Sequence, residues 1–273
     1  MVSHRIDPCH LSLIEHALPG FTPASVTPLN GLTGKNLRIE SEQGTFLYRP
    51  APDGVIPFVS RLREARIMGK LHQSGLTSRM LVANEAFLLL PWRAGEPLSP
   101  ADFQRRQSDI MLLVQRLHHQ PLTGYRLLLL PLLERYWQQC GQRNPAWQRA
   151  LRHLRRRGEP EPLRIAPLHM DIHAGNVIND GGELHLIDWE YAADGDVALE
   201  VAAICAGDET RAPLWIEHYA QEAKIVPKRL TRQVQRWQPW LRLLMASWYQ
   251  LRAEQSGDVQ TQRLAQQYWQ TFI

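Results

Sequence analysis

The sequence predicts an α+β fold in two lobes, a small β-rich lobe followed by a larger and mostly helical one. Short β-prone runs between residues 25 and 50, separated by glycines, predict two or three antiparallel strands in the first lobe. A helix is predicted before them at about 8–18 and a second, from its apolar spacing, at 57–73. A buried strand is predicted at 87–92, where Pro91 ends it.

The second lobe is indicated by helical patterns, which dominate the chain after a helix start at Ser99 and Pro100. β-prone runs recur there only within the segment 167–196. The two lobes are therefore predicted at 1–92 and 93–273. The predicted helices of the second lobe cover residues 101–120, 129–139, 145–157, 197–206, 212–222, 228–255 and 260–272.

The composition indicates a globular protein with reduced cysteines. The chain has 273 residues, 44% hydrophobic and 21% charged, and its three separated cysteines form no CxxC pair, which favours a reducing compartment. We see no signal peptide, and the densest apolar run, 127–133, is too short to span a bilayer. The net charge of +4 suits a bound anion and is too small to argue for nucleic acid. We expect a cytoplasmic protein without a membrane or nucleic-acid partner, and the oligomeric state stays open.

The segment 167–196, PLHMDIHAGNVINDGGELHLIDWEYAADGD, concentrates polar residues that could carry chemistry. Two β-prone stretches around its Gly-Gly pair predict a hairpin, and the ends of a hairpin bring Asn176 and Asp188 together. Two hard oxygen ligands at such a point suit Mg²⁺, with waters and phosphate oxygens completing the set. Asp171 stands apart in the preceding loop, where a carboxylate could accept a proton from a hydroxyl group.

Two other interpretations of this segment are open. His169, Asp171 and His173 alternate in sequence, so on an extended strand they could share one face and bind zinc as in a hydrolase. That arrangement leaves Asn176 and Asp188 without a role. The third interpretation is a polar loop with a solvated hairpin and no chemistry, which does not account for the spacing.

The order of residues in the segment is that of a kinase catalytic loop, H-x-D-x-x-x-x-N followed by I-D-W-E. Met170 stands where protein kinases carry Arg, and Asp-Trp-Glu replaces their Asp-Phe-Gly. With these departures the segment resembles the aminoglycoside phosphotransferases and choline kinases, small-molecule kinases with a protein-kinase-like fold. The resemblance implies a two-lobed fold with ATP·Mg²⁺ between the lobes, Asp171 as catalytic base, and Asn176 and Asp188 as Mg²⁺ ligands. His169 is expected to orient this catalytic loop.

The first lobe offers candidates for binding the nucleotide. Gly31 and Gly34 lie in a turn between two predicted strands, a common motif that most often marks a simple hairpin. Arg49 ends the next strand, where a kinase carries Lys, and could bind phosphate oxygens. Glu64 lies toward the apolar side of its helix and needs a cationic partner, for which Arg49 is the candidate and Arg61 the local alternative.

The stretch from Leu89 to Trp92 fits the hinge between the lobes. Its backbone, including that of Leu90 and Trp92, could meet the edge of the adenine ring, with aliphatic side chains covering the faces of the ring. The alternative is an ordinary buried strand, and the sequence does not separate the two.

Longer runs resemble one group within this family, the bacterial thiamine kinases, over nearly the whole chain. They are LLPLLERYWQQ, PLHMDIHAGNV, LIDWEYAADGDVALE and RQVQRWQPWLRLL. The resemblance implies ATP-dependent phosphorylation of thiamine on its hydroxyethyl group, giving thiamine monophosphate in a salvage pathway. The alternatives are a kinase for choline, an aminoglycoside or another small alcohol, and, from a different class, the zinc hydrolase.

Candidates for binding thiamine, a cationic and aromatic molecule, come from physical reasoning alone. Aromatic and acidic residues directly after Asp188 are expected to face the cleft: Trp189, Glu190, Tyr191 and Asp194. Aromatic residues of the late helices could form a far wall, although core packing is the commoner role for such residues: Trp237, Trp240, Trp248 and Tyr249. Asp196 is expected to support the loop after the metal site.

Overall fold

The computed structural model describes residues 6–29 and 35–272, which contain ten α-helices and ten strands. The helices are α1 (Pro8–Ala17), α2 (Arg61–Leu71), α3 (Pro100–Arg105), α4 (Gln107–His118), α5 (Leu129–Gln139), α6 (Pro145–Arg157), α7 (Val197–Ala206), α8 (Ala212–Ala223), α9 (Pro227–Ser256) and α10 (Val259–Gln270). The strands are β1 (Ser25–Pro28), β2 (Leu37–Ser41), β3 (Gly44–Pro50), β4 (Val82–Ala83), β5 (Phe87–Pro91), β6 (Glu96–Pro97), β7 (Ile165–Leu168), β8 (Val177–Asp180), β9 (Glu183–Leu186) and β10 (Ala193–Asp196).

The first lobe is built on a five-stranded antiparallel sheet in the order β1-β2-β3-β5-β4. The predicted strands between 25 and 50 are β1 to β3, and the strand predicted at 87–92 is β5. β4 was not predicted, since two residues give no periodic signal. Successive side chains of a strand point to opposite faces. Phe46 and Tyr48 therefore pack against α1, whereas Leu47 and Arg49 face the second lobe.

Helix α2 crosses from this sheet toward the second lobe and is shorter than the predicted 57–73. It begins at Arg61, because Ser60 caps it by accepting a hydrogen bond from the backbone N–H of Arg63 at 3.4 Å. Phe58 has a left-handed backbone (φ +73°), which excludes it from a helix.

The second lobe contains α3 to α10, most of them within two residues of their predicted bounds. The predicted helix 101–120 is divided into α3 and α4, because Arg106 leaves the helical conformation (φ −97°, ψ +28°). α9 is 30 residues long and tolerates Pro239 in its interior. None of the helices that the structure describes is long and apolar enough to cross a membrane.

Three short strand pairings position the segment 167–196. β8 and β9 form the predicted hairpin, and its two turn residues, Gly181 and Gly182, both have positive φ (+62° and +108°), as a tight turn of this kind requires. β6 pairs with β8, and β10 pairs with β7. β6 was not predicted. At Gly95, just before it, an added Cβ would lie 2.5 Å from the backbone oxygen of Asn179, so only glycine lets the two segments approach.

The α+β, two-lobed fold class is confirmed. The larger hydrophobic core nevertheless includes Ala65, Met68 and Leu88 of the first lobe together with α4, α5, α7 and α9. Burial therefore continues across the predicted lobe boundary at 92, and that boundary stays a prediction.

Candidate active site

The loop that carries Asp171 follows β7 directly and is fixed by the buried side chain of His169. The Nε2 atom of His169 lies 2.9 Å from the carbonyl oxygen of Ile187, and the backbone N–H of Asp171 donates to Nδ1 at 3.3 Å. Both contacts are satisfied when the ring carries its proton on Nε2. His169 thus ties the loop to the end of β9, which fits the orienting role expected of it.

Asp171 combines access to the cleft with a raised pKa. Its side chain is 37% exposed, and Asn176 donates through Nδ2 to its Oδ2 at 2.9 Å and to its carbonyl oxygen at 3.0 Å. Partial burial raises the pKa of Asp171 to about 6; the Asp188 charge adds to this effect, while His169 and the Asn176 hydrogen bond oppose it. A carboxylate with such a pKa is ionised at neutral pH and accepts a proton more readily than an ordinary aspartate.

The hairpin brings Asn176 and Asp188 together as the sequence predicts. The backbone N–H of Ile187 donates to the carbonyl oxygen of Asn176 at 3.1 Å, which pins the start of one strand to the end of the other. Asp188 follows in a left-handed conformation (φ +66°) that aspartate tolerates better than most residues. The metal-binding role of the two residues stays a prediction.

The donor set at this point fits Mg²⁺. Since Asn176 uses Nδ2 to bind Asp171, its amide oxygen is the atom left to bind a cation. Burial would raise the pKa of Asp188, but Arg49 beside it holds this pKa below the ordinary value, so the carboxylate is ionised. Two hard oxygen ligands with room for water and phosphate are the usual protein share of a Mg²⁺ site.

Five charged side chains form an ion cluster between the lobes, all of them buried except the partly exposed Asp188: Arg49, Arg61, Glu64, Asp188 and Glu190. Nη2 of Arg49 lies 2.5 Å from Oδ1 of Asp188, 3.4 Å from Oε1 of Glu64 and 3.3 Å from Oε2 of Glu190. Nη1 of Arg61 lies 2.7 Å from Oε2 of Glu64 and 3.1 Å from Oε2 of Glu190. Both arginines that the sequence proposed as partners of Glu64 therefore contact it.

The ion cluster carries two positive and three negative charges. Burial opposes the positive charge of Arg49, but the three carboxylates around it keep its pKa above the ordinary value. Burial and the charge of Asp188 raise the pKa of Glu190, so its negative charge is poorly stabilised. Arg63 adds a further contact by donating through Nη2 to the carbonyl oxygen of Glu190 at 2.5 Å.

The predicted nucleotide contacts of the first lobe lie partly on the face that borders the cleft. Gly31 and Gly34 lie outside the described residues. Leu90 is buried on the face of the sheet that carries Arg49, opposite Leu47 in β3. Trp92 follows β5 and is half-buried, and the guanidinium of Arg38 lies 4.9 Å from its ring centre. Their contact with adenine stays a prediction.

The residues after Asp188 that were predicted to bind substrate make different contacts. Trp189 is buried and packs on the ring of His169, with 4.7 Å between ring centres. Glu190 lies in the ion cluster. Asp194 is buried, and its two carboxylate oxygens accept hydrogen bonds from Thr123 and from the Gly124 N–H at 2.6–2.8 Å. The contacts of these residues with a substrate stay predictions. Tyr191 belongs to a group of aromatic side chains.

That group, the aromatic wall, comprises Tyr191, Trp248, Tyr249 and Tyr268. Nε1 of Trp248 donates to the hydroxyl of Tyr191 at 2.7 Å, and the rings of Tyr249 and Tyr268 stack with 4.9 Å between their centres. Tyr268 lines a cavity of about 660 Å³ that Asp171 also lines. The cavity lies between the catalytic loop and helices α3, α7, α9 and α10.

The other predicted aromatic and acidic residues have structural contacts. Trp237 and Trp240 are buried in the larger core. Asp196 caps α7 and accepts hydrogen bonds from Nε1 of Trp237 and Nε2 of Gln233, both at 2.8 Å. These contacts agree with the supporting role expected of Asp196.

Glu200 was not predicted as a site residue. It contacts the backbone of the loop that carries Asp171. It is fully buried in α7 and accepts hydrogen bonds from the backbone N–H groups of His169 at 2.6 Å and Met170 at 2.8 Å. A single carboxylate in the otherwise apolar run VALEVAAICA was the signal that could have identified it, because buried carboxylates need partners. Tyr268 was also missed, since its helix is mostly exposed.

The geometry does not support a zinc site. Both ring nitrogens of His169 have partners, the carbonyl oxygen of Ile187 and the backbone N–H of Asp171, and His173 uses Nδ1 to accept the backbone N–H of Gly175 at 3.1 Å. Within residues 6–29 and 35–272, no group of three or more histidine, cysteine, aspartate or glutamate side chains is arranged to hold a metal ion.

Comparison with known proteins identifies similar sequences. Residues 25–240 match the phosphotransferase enzyme family (APH). Thiamine kinase from an Escherichia coli strain is 40% identical over 266 residues, which cover 96% of this chain and 94% of the relative. Thiamine kinase from a Shigella boydii strain is likewise 40% identical over 266 residues, with the same coverage.

Solved structures show the same fold at low identity. Choline kinase LicA from Streptococcus pneumoniae has a TM-score of 0.76 and 18% identity, covering 96% of this chain and 99% of that one. Plasmodium vivax ethanolamine kinase has a TM-score of 0.77 and 17% identity, covering 97% and 87%. LicA in complex with AMP has a TM-score of 0.77 and 17% identity, covering 96% and 97%.

Proposed function

The chain belongs to the phosphotransferase enzyme family, and we propose that it is a kinase that transfers the γ-phosphoryl group of ATP to the hydroxyl of thiamine. The product is thiamine monophosphate. The observation that carries the chemistry is the position of Asp171, a carboxylate with a raised pKa that borders a large cavity. The acceptor identity is supported by relatives named thiamine kinase, 40% identical over 96% of the chain.

Asp171 acts on the acceptor hydroxyl. A hydroxyl that enters the cavity meets this carboxylate, which orients it and takes its proton as the oxygen bonds to the γ-phosphorus and ADP leaves. Because the hydrogen bonds of His169 and Asn176 fix the loop before substrate binds, little reorganisation is required. Phosphoryl transfer needs mainly this positioning together with charge stabilisation.

Asp188 and Asn176 are the residues that would hold Mg²⁺, which when bound neutralises phosphate charge. Arg49 lies beside Asp188 and supplies a further positive charge on the cleft side of the sheet. ATP is expected to lie against that face, near Leu90 and Trp92. LicA, which has the same fold, has been solved in complex with AMP, and this supports a nucleotide site of this kind.

The cavity suits an aromatic cation. Its volume of about 660 Å³ lies within the ~300–1,000 Å³ usual for small-molecule sites. Tyr268 offers a ring face, backed by the stacked Tyr249, and such faces attract cationic rings such as the thiazolium of thiamine. Small-molecule substrates are therefore the expected partners, and location in the cytoplasm stays a prediction.

Replacing the proposed base gives the first test. We expect Asp171→Asn to lower kcat by about 10²–10⁴-fold, because the amide keeps the shape but cannot accept the proton. ADP release from ATP·Mg²⁺ would be measured with thiamine, choline or an aminoglycoside as acceptor. Asp180→Asn is the matched control, since Asp180 is exposed at the turn of the same hairpin. Turnover of another acceptor without turnover of thiamine would contradict the proposed substrate.

The aromatic wall is tested separately. Tyr268→Leu is expected to raise KM for thiamine roughly two- to tenfold, since an aromatic contact contributes ~0.5–1.5 kcal/mol beyond area burial. KM for ATP should stay at the wild-type value. Tyr268→Phe is the control, because it keeps the ring and removes only the hydroxyl. Equal changes in both KM values would rule out a specific role in acceptor binding.

A further inference from the structure

The cavity beside Asp171 has polar side chains at a second place, away from the catalytic loop. Helix α7 begins next to that loop, where Glu200 contacts its backbone. Residues of the second half of α7 line one wall of the cavity as far as Gly207, and Asp208 follows directly. The end of α7 lies six residues after Glu200, a length of ~9 Å at ~1.5 Å per residue. Asp208 is therefore set well back from the catalytic loop.

Asp208 and Gln104 form a hydrogen-bonded pair at this end of the cavity, which both residues line. Nε2 of Gln104, in α3, donates to Oδ2 of Asp208 at 3.2 Å. The other carboxylate oxygen, Oδ1, accepts hydrogen bonds from the backbone N–H and the hydroxyl of Thr210 at 3.1 and 2.6 Å. The hydrogen bond from the Thr210 hydroxyl is the main reason that the pKa of Asp208 lies below its ordinary value, so this carboxylate is ionised at neutral pH.

The charge of Asp208 fixes the orientation of the Gln104 amide. An ionised carboxylate only accepts hydrogen bonds, so the amide must present its nitrogen to Asp208, and one of the two hydrogens on that nitrogen remains for a ligand. Oδ2 of Asp208 can accept a second hydrogen bond, since Nε of Arg211 lies 3.7 Å away, beyond hydrogen-bond distance. The pair thus offers a ligand a donor from Gln104 and, directly beside it, an acceptor from Asp208.

An aromatic surface lies at the same end of the cavity. Phe103 precedes Gln104 in α3, and both Phe103 and Trp215 of α8 line the cavity, with 5.2 Å between their ring centres. Trp215 is buried, whereas Phe103 is half-buried and offers part of its ring to a ligand. A flat ring can stack on Phe103 while its edge reaches Gln104 and Asp208. A ring face with an adjacent donor and acceptor suits a heteroaromatic ring.

The aminopyrimidine ring of thiamine carries the complementary edge, because its 4′-amino group is a donor and the adjacent ring nitrogen, N3′, is an acceptor. We propose that Asp208 and Gln104 determine specificity for this ring. Oδ2 of Asp208 accepts from the 4′-amino group, and Nε2 of Gln104 donates to N3′. The hydroxyl at the other end of thiamine then lies toward Asp171. The inference rests on the proposed function, since it takes thiamine as the acceptor.

The probe is the analogue of thiamine that carries an oxygen in place of the 4′-amino group. That oxygen is an acceptor and N3′ of the analogue carries a proton, so the donor and the acceptor have exchanged places. The oxygen would face the carboxylate of Asp208 with no proton between them. We expect kcat/KM of the wild type for thiamine to exceed that for the analogue by about 10–10²-fold, the usual effect of one hydrogen bond to a charged group.

Asp208→Asn should reverse this preference. The oxygen of the introduced amide keeps the hydrogen bonds from Thr210, and its nitrogen takes the place of Oδ2. The Gln104 amide then turns its oxygen toward that nitrogen, so the pair offers an acceptor from Gln104 and a donor at position 208. This order matches the analogue. We expect kcat/KM for thiamine to fall by about 10–10²-fold and that for the analogue to become the larger of the two, with KM for ATP unchanged.

Asp258→Asn is the matched control. Asp258 accepts hydrogen bonds from the backbone N–H and the hydroxyl of Thr261, both at 2.8 Å, in the manner of Asp208 and Thr210. It is exposed and caps α10 outside the cavity. We expect its ratio of kcat/KM values for the two compounds to match the wild-type ratio. Thermal melts of the variants show the temperature range in which each is folded.

Gln104→Leu provides a second variant if Asp208→Asn does not fold. It removes the donor to N3′ and leaves the carboxylate that accepts from the 4′-amino group. The preference for thiamine should therefore decrease roughly two- to tenfold without reversing, as expected for one hydrogen bond between uncharged groups. An unchanged preference in folded Gln104→Leu would exclude Gln104 from the recognition of the ring.

The wild-type rate with thiamine separates the two possible failures. Turnover of thiamine with an equal kcat/KM for the analogue, or an unchanged preference in a folded Asp208→Asn variant, would overturn the specificity role and leave the proposed function intact. Absence of turnover with thiamine would overturn the proposed function and this inference with it. A reversed preference in Asp208→Asn, with the wild-type ratio in Asp258→Asn, would support the assignment of the pair.

Discussion

The catalytic loop and the ion cluster meet at Asp188, but different forces hold them in place. The loop is fixed by directed hydrogen bonds, several to backbone groups, between residues that lie within about thirty positions of one another. The ion cluster joins charged side chains 139 and 141 positions apart, from Arg49 to Asp188 and from Arg49 to Glu190. One region is a local construction within the second lobe, whereas the other joins the two lobes.

The difference indicates that hydrogen bonds position Asp171, whereas ion pairs hold the two lobes together. Hydrogen bonds to backbone groups fix the loop that carries Asp171, and a misplacement of ~1 Å can cost a proton acceptor ~10²-fold in rate. Charge attraction is less directional, and it suits the task of keeping the sheet, α2 and Asp188 together. Loss of a loop contact should therefore reduce rate, whereas loss of an ion-cluster cation should reduce stability.

Arg61→Met should have the largest effect on stability. Among the residues that the structure describes, it leaves Arg49 as the only cation in ion-pair contact with Glu64, Glu190 and the partly exposed Asp188. Breaking a buried pair from one side costs ~3–5 kcal/mol. The free energy of unfolding would be measured by urea denaturation. Arg155→Met is the control, because its pair with Glu134 is largely exposed and contributes only ~0–1 kcal/mol.

Glu190→Gln provides the opposite test of the ion cluster. It removes the surplus negative charge, and the raised pKa of Glu190 indicates that this charge is poorly stabilised. The loss of stability should therefore be much smaller than for Arg61→Met. Equal losses in the two variants would mean that packing, and not charge balance, holds this region together.

The next largest expected effect is the pH dependence of the rate, which tests the role of Asp171 in the catalytic loop. Only the ionised form of Asp171 accepts a proton, and its pKa is raised to about 6. As pH falls through that value, kcat/KM for the acceptor should decline, approaching about tenfold per pH unit. A constant kcat/KM down to about pH 5 would contradict this assignment.

Stability provides the control for the pH experiment. A carboxyl group whose pKa is raised by folding binds its proton more tightly in the folded state, so Asp171 itself favours folding as pH falls below 6. The decline in rate should therefore appear while the far-ultraviolet circular dichroism spectrum is unchanged. Loss of both signals together would point to acid unfolding instead.

Arg49→Lys should have the smallest effect. All three acidic contacts of Arg49 come from one atom, Nη2, so the two-nitrogen fork of a guanidinium is not used in the ion cluster. A lysine ammonium could supply a similar point charge, and we expect a loss of stability below about 1 kcal/mol, within the range of mild substitutions. KM for ATP would be measured beside it, and a large rise would show that phosphate binding needs the fork.

Much of the site was predictable because several of its residues lie close together in the chain. Asp171, Asn176 and Asp188 come together through a hairpin that the Gly-Gly pair and two short apolar runs already indicate. Helix bounds such as Leu129–Gln139 and Pro145–Arg157 follow from the spacing of apolar residues, and Asn144 caps the second of these helices. The break between α3 and α4 at Arg106 could not be predicted, because the spacing of apolar residues does not change there.

The contacts that depend on distant partners were not predictable. Glu190 was expected to face a substrate, and the structure adds it to the ion cluster because Arg49 and Arg61 reach it from the first lobe. Among the late aromatic residues, only packing could separate buried Trp237 from Tyr249, which stacks on Tyr268. Both kinds of residue have the same helical spacing in the sequence.

The sequence by itself determined the two-lobed fold class, the hairpin and the order of the candidate catalytic residues, since periodicity and turn chemistry act between neighbours along the chain. Only the tertiary structure decided that Glu200 supports the catalytic loop, that Arg49 contacts three acids and that Tyr268 lines the cavity with Asp171. The physical reason is that hydrogen bonds and ion pairs depend on distance in space, and residues far apart in the chain become neighbours only when the hydrophobic core assembles them.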